Sequence, residues 1–600
     1  MTDRLFRFFN EELEALRGLG GRFAARYPKI AGRLRLSAEA IDDPHVARLI
    51  ESFAFIASRL RLKLDDDFPE LTETLLEFLY PHYLAPIPSL CITSFVSNSE
   101  VTGRTVIQRG TVVESEESDG DICYFRTTQD IELWPVKVAQ VSMSGRPLIA
   151  PPAPRLDALA SIRLVLECTD PDVTFTDLGI DRLRFYLHGP WNQAVNLYEL
   201  LLNDCIMIGL ADDPEDQNPV LIGPEAIQPI GFDASEAALP AAPRGHPAFR
   251  LLTEFFAFPH KFLFVELSGL GAKTLRLTGN RMEVFFYLRR HVVELERAIS
   301  ANMFALGCTP IINLFDQRAE PILLNRAETE YAIVPDSRHH ETREVYSIDS
   351  VRLAESGGAS RDATPLFVCP IGQEGLVTLH WQLRRRCLVE GDGSTDARLA
   401  LVDTSASLHT LSDSALIVQT TCLNRDLAAR LPYGGGHPIL NVPRCMGGTG
   451  RLVALSPFTS TLRLPRDEGL LWRLLSHLKL SHLSLVDDQA GPDAFREMLR
   501  LYDFRDSPET RTLINAVDMV KSHRSTARIH GGLARGLDIT VEIDLDSLER
   551  GAAFLFGQLL DRFLGLYVNL NSFTRLTLRL KDVSQPVKTW APRSGARVIL

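Results

Sequence analysis

A run of three glycines and a histidine, Gly434 to His437, has the strongest claim to chemistry in this 600-residue sequence. Consecutive glycines can present backbone N–H groups to a developing oxyanion, as hydrolases do. Such a site also needs a nucleophile beside a base, and the sequence has no G-x-S-x-G elbow to supply one. A hydrolase-like enzyme with a non-standard site near Gly434–His437 is kept as the alternative to a purely structural protein. The simpler interpretation is a turn in which the backbone passes close to another segment.

The motifs for a metal site and for a phosphate site are both incomplete. His340 and Glu341, preceded by His339, begin like a zinc-protease motif, but Glu344 stands where the second histidine belongs. In Gly269–Thr274 the lysine does not follow a glycine, and the spacing is too short for a phosphate-binding loop. Neither pattern predicts a site.

Two other clusters have structural explanations. His477 and His482 are five residues apart across an expected helix end, so they would not share one helical face. The acidic run Asp65–Asp67 lacks the spaced oxygen ligands and central glycine of a calcium loop. With Pro69 close behind, that run predicts the start of a helix. The sequence thus predicts no catalytic residue, no metal site and no cofactor.

Composition is that of a large globular protein, with 45% hydrophobic residues and a net charge of −12. That charge argues against a wide nucleic-acid surface. The 9 cysteines are scattered without a C-x-x-C pair, which is typical of reduced thiols in a cytoplasmic protein. The acidic N-terminus is not a signal peptide. The apolar run 551–570 is interrupted by Gln558, Asp561 and Arg562, so it predicts a core helix and no membrane insertion.

Hydrophobic periodicity predicts a multi-domain α+β protein, with an N-terminal helical segment followed by β-rich domains that carry packed helices. The predicted divisions are a helical segment at 1–90, β-rich domains at 91–260 and 261–430, and a mixed domain at 431–600. In the helical segment, Asp43 and Pro44 predict an N-cap and a first turn. The predicted apolar face of that helix consists of Val46, Leu49, Phe53, Ile56 and Leu60.

The stretch 65–90 predicts a helix followed by a stiff connector. Leu71, Leu75 and either Phe78 or Leu79 recur at helical spacing, which predicts one apolar face. Tyr80 precedes Pro81, a position at which helices tend to stop. Prolines at 81, 86 and 88 predict an extended connector after it. Residues 249 onward, with Phe255, Phe256 and Phe258 before Pro259, predict a second connector.

Both ends of the chain carry apolar helices that could contact other chains. Apolar residues from Phe6 to Phe23 follow the helical period and predict the first helix. One helical face cannot bury all of its phenylalanines, so packing on its own domain and a bundle with other chains both stay open. The late helix likewise fits either burial in its own domain or pairing with another chain. The candidate interface residues are Phe6, Phe9, Leu13, Leu16, Phe556, Leu560, Phe563 and Leu566.

Long stretches of the sequence resemble one known family. The resemblance spans Tyr27 to Thr574 and is carried by YPKIAGRL, DPHVARLIESFAFIASRL, FPELTETLLEFLYPHYLAPIPS, NLFDQRAEPILL, EYAIVPD, EVYSIDSV, LPYGGGHPIL, GLLWRLLSHLKLSHLSL and LFGQLLDRFLGLYVNLNSFT. These phrases are similar to the TssF family, also called VasA or ImpG. The members of that family are baseplate subunits of the bacterial type VI secretion system, a contractile injection machine.

The resemblance implies a cytoplasmic structural protein without enzymatic activity, in a baseplate docked at the inner-membrane complex. It implies a counterpart of the wedge protein that is doubled in contractile phage baseplates. Two TssF copies would bind one TssG, and this trimer would contact TssK, TssE and the VgrG hub beneath the Hcp tube. The complex would support the assembly of the tail tube and sheath, and firing. In that setting the first helix would enter a bundle with TssG and a second TssF, and the late helix would contribute to pairing.

Overall fold

A computed structural model describes residues 8–10, 12–13, 15–16, 19, 22–23, 26–33, 43–65, 69–97, 103–152, 157–241, 245–271, 279–325, 328–354, 360–366, 379–387, 394–403, 414–443, 449–464, 474, 491–529, 532–546, 548–568 and 572–595. The chain forms two compact units. The smaller one, which we call the helical unit, consists of Met1–Leu79 with Pro465–Lys479, and the larger one, which we call unit two, consists of Tyr80–Leu464 with Leu480–Leu600. Helices and several sheets, among them a closed barrel, confirm the predicted α+β class.

The described helices are α1 Pro28–Arg33, α2 Pro44–Asp65, α3 Pro69–Leu79, α4 Pro81–Leu84, α5 Phe175–Leu178, α6 Trp191–Glu199, α7 Pro247–Ala257, α8 Val293–Ala298, α9 Gly491–Arg500, α10 Pro508–Asn515 and α11 Arg550–Leu566. The described strands are β1 Leu90–Ser97, β2 Thr105–Ile107, β3 Val112–Ser118, β4 Asp121–Thr127, β5 Ile131–Leu133, β6 Val136–Gly145, β7 Ala160–Cys168, β8 Arg182–Leu187, β9 Cys205–Ala211, β10 Val220–Ile222, β11 Ile227–Ile230, β12 Phe264–Ser268, β13 Arg281–Leu288, β14 Phe304–Ala305, β15 Cys308–Ile312, β16 Phe315–Arg318, β17 Ile322–Leu323, β18 Glu330–Ala332, β19 Glu344–Ala354, β20 Ser360–Pro365, β21 Leu379–Cys387, β22 Thr395–Asp403, β23 Ala415–Leu423, β24 Leu440–Asn441, β25 Thr449–Ala454, β26 Val517–Ile529, β27 Gly532–Ile543, β28 Ser572–Leu580, β29 Lys588–Thr589 and β30 Arg593–Ser594.

The smaller unit is helical where it is described. The predicted start of α2 is confirmed, because the backbone N–H of His45 donates to Asp43 Oδ1 at 2.8 Å and Pro44 opens the first turn. Pro69 opens α3, also as predicted. The prediction that the acidic run begins this helix is wrong for Asp65, which is the last residue of α2. Asp66 and Asp67 lie outside the described residues.

Both predicted connectors contain helices. Pro81 opens the 4-residue helix α4, because proline fits a first helical turn as well as an extended chain. The chain is extended only beyond it, where Ile87 bridges Leu462 before β1 begins. The second predicted connector contains α7, whose residues are buried from Ala248 to Ala257. Its phenylalanines follow the helical period and lie inside the core.

Unit two is organised around sheets whose strands are distant in sequence. The barrel has the order β1-β15-β4-β3-β24-β25, so it combines strands from the segments 91–260, 261–430 and 431–600. The other main sheets have the orders β10-β9-β13-β7-β6, β11-β12-β8-β14, β16-β23-β19-β20-β21-β22-β18 and β26-β27-β28-β29. The four-part linear division stays a prediction, but the barrel does not follow its boundaries.

Two buried asparagines join the barrel to the neighbouring long sheet. Asn313 Nδ2 donates to the carbonyl of Tyr124 at 2.8 Å, and Asn424 Nδ2 donates to the carbonyl of Ile122 at 3.1 Å. The two side chains also bond to each other, with Asn313 Nδ2 and Asn424 Oδ1 2.9 Å apart. Such networks fix the arrangement of a core because each member is satisfied by the others.

A partly buried histidine gives this unit a predictable response to acid. The ring of His260 lies edge-on to Trp191, with centroids 5.2 Å apart. Burial lowers the pKa of His260 to about 4, and the positive charge of Arg505 adds to that effect. Its ordinary pKa is near 6.5. Between these values the unfolded chain binds the proton first, so the histidine favours unfolding as the pH falls from 6.5 to 4.

We expect the wild-type chain to lose up to about 3 kcal/mol more stability between pH 6.5 and 4 than a His260→Phe variant, because phenylalanine has no proton to take up. Urea denaturation at a series of pH values measures the difference. His340→Phe is the matched control, because the His340 side chain is 66% exposed. Parallel pH profiles for wild type and His260→Phe would contradict the prediction.

Candidate interaction surface

Helix α2 presents large apolar side chains to solvent. Leu49, Phe53 and Ile56 are 72%, 59% and 64% exposed, and their spacing of four and three residues places them on one face. We call these three residues the α2 stripe. The opposite side of the helix carries Ala54 and Ser58, which are fully buried. The predicted apolar face thus exists, but the helix buries its small residues and leaves the large ones outside.

The remaining members of that predicted face are less exposed or lie outside the description. Val46 is half-buried, and the side chain of Leu60 is not among those described. In α3 the predicted face is also turned outward, since Leu75 is 46% and Leu79 39% exposed, while Leu76 is buried. The side chains of Leu71 and Phe78 lie outside the description.

A groove beside the α2 stripe contains Phe9, a residue of the predicted first helix, which precedes α1. Phe9 lies edge-on to Phe55, with ring centroids 6.5 Å apart. The residues lining the groove are Phe9, Arg48, Glu51, Ser52, Phe55 and Ile56. Phe9, Leu13 and Leu16, three of the candidate interface residues, are half-buried, and Phe6 lies outside the described residues. The first helix therefore uses part of its apolar surface within this unit.

Exposed apolar residues are common singly, but a stripe of large ones on one helix marks a binding surface. Each such side chain gains about 1.5–3 kcal/mol when it is fully buried. Other exposed apolar residues of the same unit are Leu19, Phe23, Tyr27 and Ile30. The described part of this unit therefore carries more exposed large apolar side chains than the α2 stripe alone.

The late candidate residues lie in a different environment. Phe556, Leu560 and Phe563 of α11 are fully buried, whereas Leu566 is 36% exposed. Phe556 contacts Phe255 of α7, with ring centroids 6.1 Å apart. The prediction that these residues contact another chain stays a prediction. In this chain alone, three of them belong to its own core and Leu566 is the accessible member.

The glycine run forms an exposed turn in which Gly434 and His437 pair with each other. Its three glycines have φ values of 103°, 61° and 97°, which L-residues rarely adopt. A Cβ on Gly434 or Gly435 would meet open space, and one on Gly436 would meet only the end of the Arg451 side chain. Positive φ, and not a close backbone approach, explains the glycines. An exposed turn does not provide the water-excluded cleft that an oxyanion hole requires.

His339, which precedes the incomplete zinc-protease motif, lies beside an ion pair between Asp121 and Arg343. His339 Nδ1 lies 3.6 Å from Asp121 Oδ2, and Arg343 Nη2 donates to Asp121 Oδ1 at 3.0 Å. Burial raises the pKa of Asp121, but hydrogen bonds from Arg343 and Thr342 outweigh it and the net pKa is lowered. In the part of the chain that is described, no three potential ligands cluster as a metal site would require. His477, His482 and Ala272–Thr274 lie outside that part.

Comparison with known proteins identifies the family. The family model described as type VI secretion system, TssF, matches residues 1–597. The chain belongs to the TssF family. It is 33% identical to the type VI secretion system component TssF1 of Pseudomonas aeruginosa over the full length of both proteins. The resemblance inferred from the sequence is thereby confirmed.

Solved structures extend the comparison to the fold. A chain in the cryo-electron microscopy structure of the type VI secretion system TssK-TssF-TssG baseplate subcomplex is 26% identical, with a TM-score of 0.74 over 92% of this chain and 100% of that one. A chain in the baseplate complex from the type VI secretion system has the same fold, with a TM-score of 0.61, 24% identity, and coverage of 99% of this chain and 100% of that one.

Membership of the TssF family makes this chain a structural subunit of the type VI secretion baseplate and not an enzyme. The hydrolase alternative at Gly434–His437 is therefore wrong. Among the described helices, none has the length and apolar character needed to cross a membrane. The feature that sequence reasoning missed is the direction of the α2 stripe. Its only signal was the pair of small residues, Ala54 and Ser58, on the side that is buried.

Proposed function

We propose that this TssF-family chain is a building block of the baseplate wedge, assembled as two copies with one TssG. The α2 stripe is the observation that carries the proposal. Apolar residues spaced by four and then three positions match the contact face of a helix in a helical bundle. Phe9 and the neighbouring groove extend this surface toward the first helix. TssG and a second copy of the chain are the proposed occupants.

The solved TssK-TssF-TssG subcomplex supports TssK and TssG as partners, because the matching chain covers 92% of this one at a TM-score of 0.74. Family membership supports contacts with TssE, the VgrG hub and the Hcp tube. The proposed role is to support tail tube and sheath assembly and firing. The proposed location is the cytoplasm, in the baseplate at the inner-membrane complex.

Co-expression with TssG and TssK from the same bacterium tests the proposal. We expect a stable complex with two copies of this chain for each TssG, measured by native mass spectrometry and light scattering. The chain expressed alone should self-associate or aggregate, because the α2 stripe stays uncovered. A monodisperse monomer that does not bind TssG would overturn the proposal.

A further inference from the structure

The hairpin of β26 and β27 carries exposed arginines on the outer part of one face, and the same face is buried in the protein core nearer its base. Opposed residues of an antiparallel pair point to the same side, so Arg524 and Arg528 share a face with Leu533 and Arg535 of the partner strand. Leu533 lies directly opposite Arg528, and Arg535 lies opposite Thr526, between the two other arginines. We call these four residues the arginine face.

Toward the base of the hairpin, the same face is core. Leu537, Ile539 and Val541 are buried there. Val541 is in register with Leu578 of β28, against which Gly557 of α11 packs. Helix α11 thus covers the base of this face, and the distal part is left open. Arg524, Arg528 and Arg535 are exposed, and Leu533 is 86% exposed.

Charge pairing differs between the two faces of this sheet. On the opposite face, Arg575 donates to Asp538 at 2.9 Å, and Lys581 lies 2.8 Å from Asp544. For the three arginines of the arginine face, no carboxylate of the described chain lies within ion-pair distance. The segment from Lys521 to Arg535 contains no aspartate or glutamate, in a protein whose net charge is −12. The open end of the sheet therefore carries a positive charge that no carboxylate of the described residues neutralises.

We propose that the arginine face is a docking site for an acidic segment of a protein partner. Guanidinium groups bind carboxylates with two parallel hydrogen bonds, and exposed arginines beside an apolar anchor are characteristic of protein interfaces. Leu533 is the feature that favours a protein over a phosphate polymer or a lipid headgroup. A leucine directly opposite Arg528 gains nothing from phosphates but is buried by an apolar side chain of the partner.

Peptide binding to the full chain tests the chemistry. The probe is a fluorescein-labelled peptide of alternating glutamate and leucine, compared with one of alternating glutamate and serine and with a thymidine oligonucleotide of equal charge. We expect the glutamate–leucine peptide to bind most tightly, by fluorescence anisotropy. Arg524→Glu with Arg528→Glu should weaken it about tenfold or more, because attraction becomes repulsion. Leu533→Ala should weaken it several-fold and remove the preference for leucine.

The control has the same change in charge on the other face of the sheet. Lys521→Glu with Arg579→Glu should change the affinity less than about twofold, since exposed charges outside the contact contribute little. Equal losses in the two double variants, or tighter binding of the oligonucleotide, would overturn the proposal. Unchanged thermal unfolding of all variants shows that the sheet remains folded.

The native partner is tested by a photo-reactive amino acid in place of Leu533, in cells that express the whole secretion system. Mass spectrometry of the cross-linked product should identify a protein segment rich in aspartate and glutamate. The product should disappear when Arg524→Glu and Arg528→Glu are present. A product with nucleic acid, with lipid or with a segment lacking net negative charge would refute an acidic protein partner, as would the absence of any product.

Discussion

A chain with glutamate at Leu49, Phe53 and Ile56 is expected to lose its affinity for TssG by at least about a thousandfold, or about 4 kcal/mol. The three side chains are 72%, 59% and 64% exposed in this chain, and the proposed bundle would bury them. Three carboxylates in that contact would have to be desolvated without partners, which adds to the lost apolar burial. Co-purification and isothermal titration calorimetry with TssG measure the effect.

The folded state of the chain should not change, because the α2 stripe lies on the side of the helix opposite the buried Ala54 and Ser58. The thermal unfolding midpoint of the triple variant should therefore match that of the wild type. The solubility of the variant should be equal to or higher than that of the wild type. Leu323→Glu is the matched control, because Leu323 is an exposed leucine of unit two, with 76% of its surface accessible. A triple variant that still binds TssG like the wild type would place the interface elsewhere.

Local rules predicted the elements of this fold well. The cap at Asp43 and the proline at Pro69 both rest on neighbouring residues, and α2 and α3 start where these signals place them. The late apolar run was predicted as a core helix, and α11 is buried along almost its whole length. Because α11 has apolar residues all around its circumference, it can pack against α7 on one side and β28 on another.

Long-range organisation was not predictable in the same way. The barrel pairs β1 with β15 and β25, across more than 200 residues of sequence in the first case, and no local pattern specifies such a partner. The direction of α2 is a similar case. Periodicity identifies an apolar face but not whether that face meets its own core or another chain, and here the small residues pack inward.

Unit two contains a buried ion pair that no pattern in the sequence predicted. Lys261 and Glu254 are 1% and 2% exposed, and Lys261 Nζ lies 2.6 Å from Glu254 Oε2. Lys261 Nζ also donates to the carbonyl of Gly231 at 2.6 Å, and Glu254 Oε1 accepts from the backbone N–H of Leu239 at 2.9 Å. The pair thus fastens two loop segments to α7. Its members are seven residues apart, on α7 and the turn after it, and only folding brings them together.

Lys261→Met is expected to destabilise unit two by about 3–5 kcal/mol, because it leaves the Glu254 carboxylate buried without its main counter-charge. Urea denaturation and hydrogen exchange of the α7 amides measure the loss. Adding Glu254→Gln should restore more than half of it, since the amide oxygen still accepts from Leu239 and the uncompensated carboxylate is removed. Lys137→Met removes a lysine that is 59% exposed, beside Glu167, and should change stability by less than about 0.5 kcal/mol. If the double variant were no more stable than Lys261→Met, the loss would come from packing of the lysine chain and not from the uncompensated carboxylate.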